Sequence, residues 1–127
     1  ATPRGGGNRL SEMLRYATCV DMIRACVQAS VGLPVDNIEQ KPYDGHWAEI
    51  ILHADNNGSV DERITDEAAV GAIVIERDLW VKQGDAVEAF SGANNAIGTL
   101  VVRFDTEKAL VAAMNDIASW VKVKVKI

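Results

Sequence analysis

The residues of this sequence with the clearest capacity for chemistry lie at its start, in the stretch TPRGGGNRL. Glycines without a Cβ let backbone N–H groups come close to an anion, and a helix that begins after them adds unpaired N–H groups with a partial positive charge. Arginines add forked cationic donors that suit phosphate or carboxylate. The alternative is a flexible glycine-rich lead-in to an ordinary helix. The stretch therefore predicts one wall of an anion site, formed by Arg4, Gly5, Gly6, Gly7 and Arg9.

The distribution of charge agrees with a small anionic ligand. The formal net charge is −5, yet residues 1–24 hold four arginines against two acids, a balance of +2 that leaves −7 for the rest. General nucleic-acid binding would need a wider basic surface, so we expect no nucleic-acid partner. The spacing matches neither G-x-x-x-x-G-K-[ST] nor G-x-G-x-x-G, so the stretch is not one of these two phosphate-binding motifs.

Length and composition bound the class of protein. The 127 residues suffice for one domain whose core needs no disulfide or metal, and 48% hydrophobic with 24% charged residues is an ordinary globular composition. No apolar run approaches the ~20 residues of a membrane span, and no stretch resembles a signal peptide. We therefore expect a cytoplasmic protein with no membrane partner.

The apolar periodicity predicts helices before His46. Apolar residues three and four apart indicate a helix over 10–17, followed by a break near Thr18. A second helix is expected to begin at Asp21 and to end by Gly32 and Pro34. Two short helices should therefore precede any strand.

From His46 onward the pattern changes to that of strands. VKQGDAVEAF predicts a hairpin with Gly84 at its tip, and the alternating tail VKVKVKI predicts a strand with one buried face. Thr106 can cap a helix with apolar positions at Leu110, Met114, Ile117 and Val121. The fold class is thus predicted to be α+β, with two N-terminal helices, then an antiparallel sheet with a helix packed on one face. The strands of that sheet are expected near 46–54, 71–77 and 97–104.

A few isolated residues have simple expected roles. Cys19 and Cys26 are expected to be buried, unpaired thiols, and no cluster of cysteine and histidine has a zinc-site spacing. Glu12 either holds a neighbouring arginine or faces water, and the solvated role is preferred. A hydrated loop is expected at the acidic residues Asp61, Glu62, Asp66 and Glu67.

Three segments carry a family resemblance. TPRGGGNRLSEMLRYATCVDMIRACVQASVGLP resembles the part of ATP-grasp enzymes that follows the metal-binding strand. That part usually reads Glu-x-Asn-Pro-Arg, then glycines, then helices that end in Ala-Thr-Gly-Val-Asp and Leu-Gly-Leu-Pro. GHWAEIILHADNNG is similar to the Gly-His-Ala-x-Glu strand of biotin-carboxylase-like members, and GANNAIGTLVVRFDTEKALVAAMNDIASWV to the closing part of the C-terminal lobe. The residues of the first segment that fall on that pattern are Thr2, Pro3, Arg4, Gly5, Gly6, Gly7, Ala17, Thr18, Val20, Asp21, Gly32 and Pro34.

The resemblance implies an organisation and a chemistry. Residues 1–34 would be the helical end of the catalytic lobe, and 35–127 a C-terminal α+β subdomain. Such ligases, which include carboxylate–amine and glycinamide-ribonucleotide ligases, use ATP and Mg²⁺ to convert a carboxylate into an acyl phosphate that an amine or similar nucleophile attacks. Arg4 would then be catalytic, holding the acyl phosphate or the substrate carboxylate, while Gly5, Gly6, Gly7 and Arg9 bind substrate or phosphate.

The departures from the pattern limit what this chain does alone. Thr2 stands where the family has its metal-binding Asn, and Cys19 where a left-handed glycine is usual. The family's nucleotide-binding lysine and glycine-rich lid have no counterpart, so we expect the chain by itself to hold no cofactor and to be inactive. Its partners would be the remainder of a parent ligase and a small carboxylate, with a homodimer as one option. A non-catalytic binding or interaction module that keeps the fold is the alternative.

The role implied for Arg4 predicts a kinetic effect in the full-length parent. Arg4→Ala should lower turnover and leave ATP affinity nearly unchanged, because the residue would act on the acyl phosphate rather than on the nucleotide. Loss of one preorganised charge-assisted donor costs ~3 kcal/mol in the transition state, on the order of a hundredfold in rate. Steady-state kinetics would measure both quantities, and an unchanged turnover number would exclude the role.

Overall fold

The computed structural model describes residues 9–39 and 41–127, which form an α+β fold. The helices are α1 (Leu10–Thr18), α2 (Met22–Ser30), α3 (Glu107–Asn115) and α4 (Ile117–Trp120). The strands are β1 (His46–Leu52), β2 (Gly58–Thr65), β3 (Ile73–Leu79), β4 (Ala86–Val87), β5 (Gly98–Phe104) and β6 (Val121–Lys126). The predicted order of two helices, strands and a later helix is confirmed. Within the described ranges, no helix is both long and apolar enough to cross a bilayer.

The predicted antiparallel sheet is present, with strand order β1-β5-β3. β5 is the central strand, and six of its seven residues are buried. Because successive side chains of a strand point to opposite faces, burial of consecutive residues means that both faces of β5 are covered. This sheet therefore needs packing partners on its two sides.

The main core covers one face of β5. Leu100, Val102 and Phe104 point into it, together with Trp120, whose indole Nε1 donates to the Ala113 carbonyl at 2.9 Å. Val60 of β2 joins the same cluster, so the core lies between the first sheet, a second sheet and α3. The second sheet has strand order β4-β2-β6 and is antiparallel.

Two predictions about the middle of the chain are wrong. The hairpin around Gly84 does not form, because Ala86–Val87 pairs with β2 in the second sheet instead of with the strand before it. The loop predicted for the acidic residues is wrong at Asp61 and Glu62, which lie on β2, where the Glu62 carboxylate accepts a hydrogen bond from the Lys124 ammonium at 3.0 Å. In both cases a non-local pairing with the second sheet decided the conformation.

The connection between α1 and α2 follows the sequence closely. Cys19 takes a left-handed conformation with φ 61° and ends α1, at the position where the ATP-grasp pattern has glycine. Asp21 caps α2 by accepting from the Arg24 amide at 2.9 Å. The expectation of buried thiols is wrong, because Cys19 and Cys26 are both exposed. Cys19 lines a groove at the α1–α2 connection.

The C-terminal helix is shorter than its apolar spacing suggests. Thr106 caps α3 by accepting from the Ala109 amide at 3.1 Å, as predicted. The helix ends at Asn115, Ile117 lies in the short α4, and Val121 begins β6 instead of extending the helix. The predicted strand over the tail is confirmed as β6.

The close pairing of β3 and β5 makes a prediction about Gly98. A Cβ at this position would lie 2.6 Å from the Asp78 carbonyl oxygen and 3.2 Å from Leu79 Cα, which are backbone atoms that cannot move aside. Gly98→Ala should lower the free energy of unfolding by about 1–3 kcal/mol in urea denaturation. Gly92→Ala is the matched control, because Gly92 has an extended backbone with open space around it. Equal effects of the two substitutions would contradict the steric explanation.

Candidate functional site

The helix α1 covers the other face of the first sheet, where it packs against β1. The strand register places Glu49 of β1 and Glu76 of β3 on either side of Val101 on this face. Asp78 of β3 lies next to Thr99 in the following row. Directly paired residues of an antiparallel sheet project to the same face, so three carboxylates of the sheet lie on the α1 side.

A β-bulge in β3 creates this arrangement. Val74 pairs with Val102 and faces the main core, but the register then shifts so that Glu76 pairs with Val101. Without the extra residue, Glu76 would pair with Leu100 and its carboxylate would point into the main core. Bulges redirect side chains in this way. The bulge thus lets one strand supply apolar residues to the core and acids to the opposite face.

Arg9 is the residue around which this face is organised. Its backbone N–H donates to Glu49 Oε1 at 2.7 Å, where α1 begins. Its guanidinium donates from Nη1 to Glu12 Oε1 at 3.2 Å and from Nη2 to Asp78 Oδ2 at 3.0 Å. Asp78 Oδ2 also accepts from the Trp80 indole N–H at 3.0 Å. One arginine therefore ties the start of α1 to both outer strands of the sheet.

The surroundings of the Arg9 guanidinium stabilise its protonated, positively charged form. Desolvation by itself would lower the pKa of Arg9, but the hydrogen bond with Glu12 and the charges of Asp78 and Glu76 outweigh it and raise the pKa. The side chain keeps 31% of its surface exposed. Arg9 is thus a permanent cation, held in place on two sides and still in contact with solvent.

Aromatic contacts hold the second turn of α1 on the same sheet. The Tyr16 hydroxyl donates to Glu76 Oε1 at 3.1 Å, and its ring stacks on Trp47 with centroids 5.6 Å apart and planes 7° apart. The guanidinium of Arg15 lies over the Tyr16 ring, 4.8 Å from its centroid. These contacts fix the position of Arg9 relative to the strands, because they prevent α1 from turning about its axis.

Two buried polar atoms in this layer make no hydrogen bond with the described residues. They are Oε2 of Glu76 and Oγ1 of Thr99, a side chain that is only 1% exposed. Buried polar groups are usually paired, and an unpaired one costs about 1–3 kcal/mol. The face under α1 therefore has hydrogen-bonding capacity beyond its own internal contacts.

The structure places one of the predicted site residues in this cluster. Arg9 is there, whereas Thr2, Arg4, Gly5, Gly6 and Gly7 lie outside the described residues. Glu12 holds Arg9, so the preference for a solvated Glu12 is wrong. The anion-binding role of Arg9 stays a prediction.

The acids of β3 were not among the predicted site residues. Their signal was present, because Glu76 and Asp78 stand two apart inside the apolar run IVIERDL. Charges at that spacing mark a face that departs from the core. For Glu49 the sequence predicted only a position in a strand. Its contact with Arg9, 40 residues earlier in the chain, could not be read from the motif.

The described residues do not form a metal site by themselves. Within 9–39 and 41–127, no three side chains of His, Cys, Asp or Glu are arranged to hold a metal ion. The acids under α1 instead pair with Arg9, the Trp80 indole and the Tyr16 hydroxyl. They serve as the support of a cation.

A groove of about 640 Å³ lies at the α1–α2 connection. Its cations are Arg15, Arg24 and Lys41, and its acids are Asp21, Asp36 and Glu39. Arg24 Nε lies 3.6 Å from Asp36 Oδ1, so part of this charge is paired internally. The charges are balanced, and the groove therefore does not account for the positive balance of residues 1–24.

Comparison with solved structures identifies the fold. The chain is similar to phosphoribosylglycinamide synthetase from Anaerococcus prevotii, with a TM-score of 0.66 and 15% identity over 95% of this chain and 31% of that one. It is also similar to L-amino acid ligase from Bacillus licheniformis, with a TM-score of 0.72 and 10% identity over 97% of this chain and 32% of that one. No protein-family model matches the sequence, and no curated protein matches it.

These two similarities confirm the sequence resemblance at the level of the fold. Both solved structures are ATP-grasp ligases, and almost all of this chain superposes on part of each. The chain therefore has the fold of part of an ATP-grasp ligase. It spans about a third of the length of those chains.

The Arg9–Asp78 ion pair can be tested by a double-mutant cycle. Arg9→Ala and Asp78→Asn should show a coupling energy of about 0.5–1 kcal/mol in urea denaturation at low salt. The coupling should shrink at 1 M NaCl, because the pair is partly exposed and salt screens it. The matched control is the pair Lys124–Glu62, whose side chains are both more than half exposed and whose coupling should be smaller. A coupling no larger than that of the control would show that Arg9 does not fasten α1 to β3.

Proposed function

We propose that this chain is the C-terminal part of an ATP-grasp ligase that activates a carboxylate as an acyl phosphate for attack by an amine or similar nucleophile. The observation that carries the proposal is the similarity of nearly the whole chain to about a third of two ligases. The sequence resemblance of residues 1–34 supports it independently. On this proposal the parent is the enzyme, and the segment described here supplies one side of its active site.

The Arg9 cluster supports an anion-binding role at that side. Glu12 and Asp78 hold the guanidinium in one orientation, and Glu49 holds the amide at the start of α1. A guanidinium has five N–H donors, and the two ion pairs engage Nη1 and Nη2. A preorganised cation of this kind favours negative charge that develops on a reacting group. Arg9 would bind the substrate carboxylate or a phosphoryl oxygen beside Arg4.

ATP and Mg²⁺ would be held by the rest of the parent ligase. When bound, they would supply the phosphoryl group and neutralise its charge. The described residues do not fit a metal site, and Thr2, which the resemblance aligns with a metal ligand, offers only a neutral hydroxyl oxygen. We therefore assign this chain the substrate side of the site. A cytoplasmic location and a homodimer belong to the same proposal.

A second candidate is a non-catalytic binding module that retains the fold. Thr2 at the position of a metal-binding Asn favours it, because a hydroxyl is a weaker ligand for a hard cation. The two carboxylates on Arg9 are also consistent with a purely structural arginine. The two candidates differ in whether Arg9 affects turnover.

The proposal is tested with the longer protein that carries this segment. Its purified form should release phosphate from MgATP only when a suitable carboxylate and amine are both supplied. Arg9→Ala should lower that turnover by on the order of tenfold to a hundredfold. The control Arg77→Ala removes an arginine from the ion pair with Glu67 and should leave turnover unchanged.

Other outcomes distinguish the candidates. Arg9→Ala with full turnover would assign Arg9 to folding alone. A parent that turns over no carboxylate and amine pair would favour the binding module. The 127-residue chain alone should bind MgATP weakly or not at all, and micromolar affinity in titration calorimetry would contradict the division of roles. A reading frame with no glycine-rich lid, lysine or acidic pair before residue 1 would overturn the ligase proposal.

A further inference from the structure

An apolar surface lies on the side of α2 away from the protein. Ile23, Val27 and Val31 follow one another at intervals of four residues, so they share one face of the helix and its C-terminal cap. Their exposed fractions are 50%, 57% and 63%. Ala25 is the buried residue of α2, and it lies on the opposite side of the helix. These three side chains therefore form an exposed apolar stripe on the side of α2 opposite Ala25.

The segment after α2 enlarges this surface. The Leu33 amide donates to the Gln28 carbonyl at 2.9 Å, and the Gln28 side chain donates to Asp36 Oδ1 at 3.1 Å, so the segment lies along the helix. Its own apolar side chains are also exposed, namely Leu33, Val35 and Ile38. Exposed large apolar side chains concentrated in one short part of the chain point to a surface that contacts another partner. We call the exposed apolar side chains of α2 and of residues 31–38 together the α2 surface.

We infer that the α2 surface is the docking face for the remainder of the parent ligase, a partner that must present an apolar surface of its own. This inference rests on the proposed function. In two ligases of the same fold, the part that this chain matches is only about a third of the chain. A parent of similar length would therefore contain further residues that could cover the α2 surface. Among the described residues, α2 contacts α1, and the side chains of Ile23, Val27 and Val31 stay at least half exposed.

Cys26 is a natural reporter for the covering of this surface. It is the residue before Val27, on the flank of the apolar stripe, and it is exposed in this chain. In a Cys19→Ser background, its thiol should react freely with a maleimide in the 127-residue chain. In the longer protein the reaction should be slower by at least about tenfold, because covered thiols react only through local opening. Any other cysteines of the longer protein are replaced by serine.

A cysteine elsewhere on the surface provides the matched control. Val111 of α3 is 50% exposed, close to the exposure of Val27. Val111→Cys, with both native cysteines replaced by serine, should react at similar rates in the two proteins. Val27→Asp should also restore rapid labelling of Cys26 in the longer protein, whereas Val111→Asp should not.

Each other result has a definite meaning. Equal labelling of Cys26 in both proteins would overturn the inference. Protection of Cys26 in the 127-residue chain that grows with concentration, with a dimer in sedimentation equilibrium, would assign the surface to a second copy instead. If the longer protein is an active ligase and Cys26 reacts freely, the docking inference is wrong and the proposed function stands. If the longer protein is inactive and Cys26 is protected, the proposed function is wrong, and the α2 surface is still covered by the rest of the longer protein.

Discussion

Burial of β5 on both faces is the constraint on which the rest of this structure depends. Leu100, Val102 and Phe104 need an apolar layer on one side, and Thr99 and Val101 need cover on the other. The second sheet, α3 and Trp120 supply the first layer. The short helix α1 supplies the second, and it must be held against the sheet by more than its own nine residues of helical propensity.

Polar contacts hold α1 against the sheet. The same residues that stabilise the position of α1 also form the candidate site. The bulge in β3 sends Glu76 and Asp78 away from the core, so that acids lie under a helix that carries Arg9 and Tyr16. A charged pair taken partly out of water contributes little net stability. Its effect is to set the position and orientation of the guanidinium, which a binding site needs more than it needs stability.

The same arrangement explains why the chain has two unequal sides. The β5 side is closed by the chain's own residues, whereas α2 contributes one buried alanine and exposes its apolar face. Arg9 and the α2 surface both lie in the helical part of the chain.

The sequence by itself determined the local elements and their order. Apolar patterning located α1, α2, the first part of α3 and the three strands of the first sheet, and Asp21 and Thr106 marked helix starts. These features depend on residues within a few positions of one another, so periodicity and capping suffice to find them.

Only the tertiary structure decided which residues meet. Asp61 and Glu62 lie on β2 because this segment pairs with β6. The expected hairpin at Gly84 does not form because Ala86–Val87 pairs with β2 instead. The bulge that turns the site acids away from the main core was hidden for a similar reason. A one-residue bulge reverses the face of every side chain that follows it, and no local pattern in IVIERDL reveals that shift. Arg9 could be predicted as an anion-binding residue, but its partners 40 and 69 residues away could not.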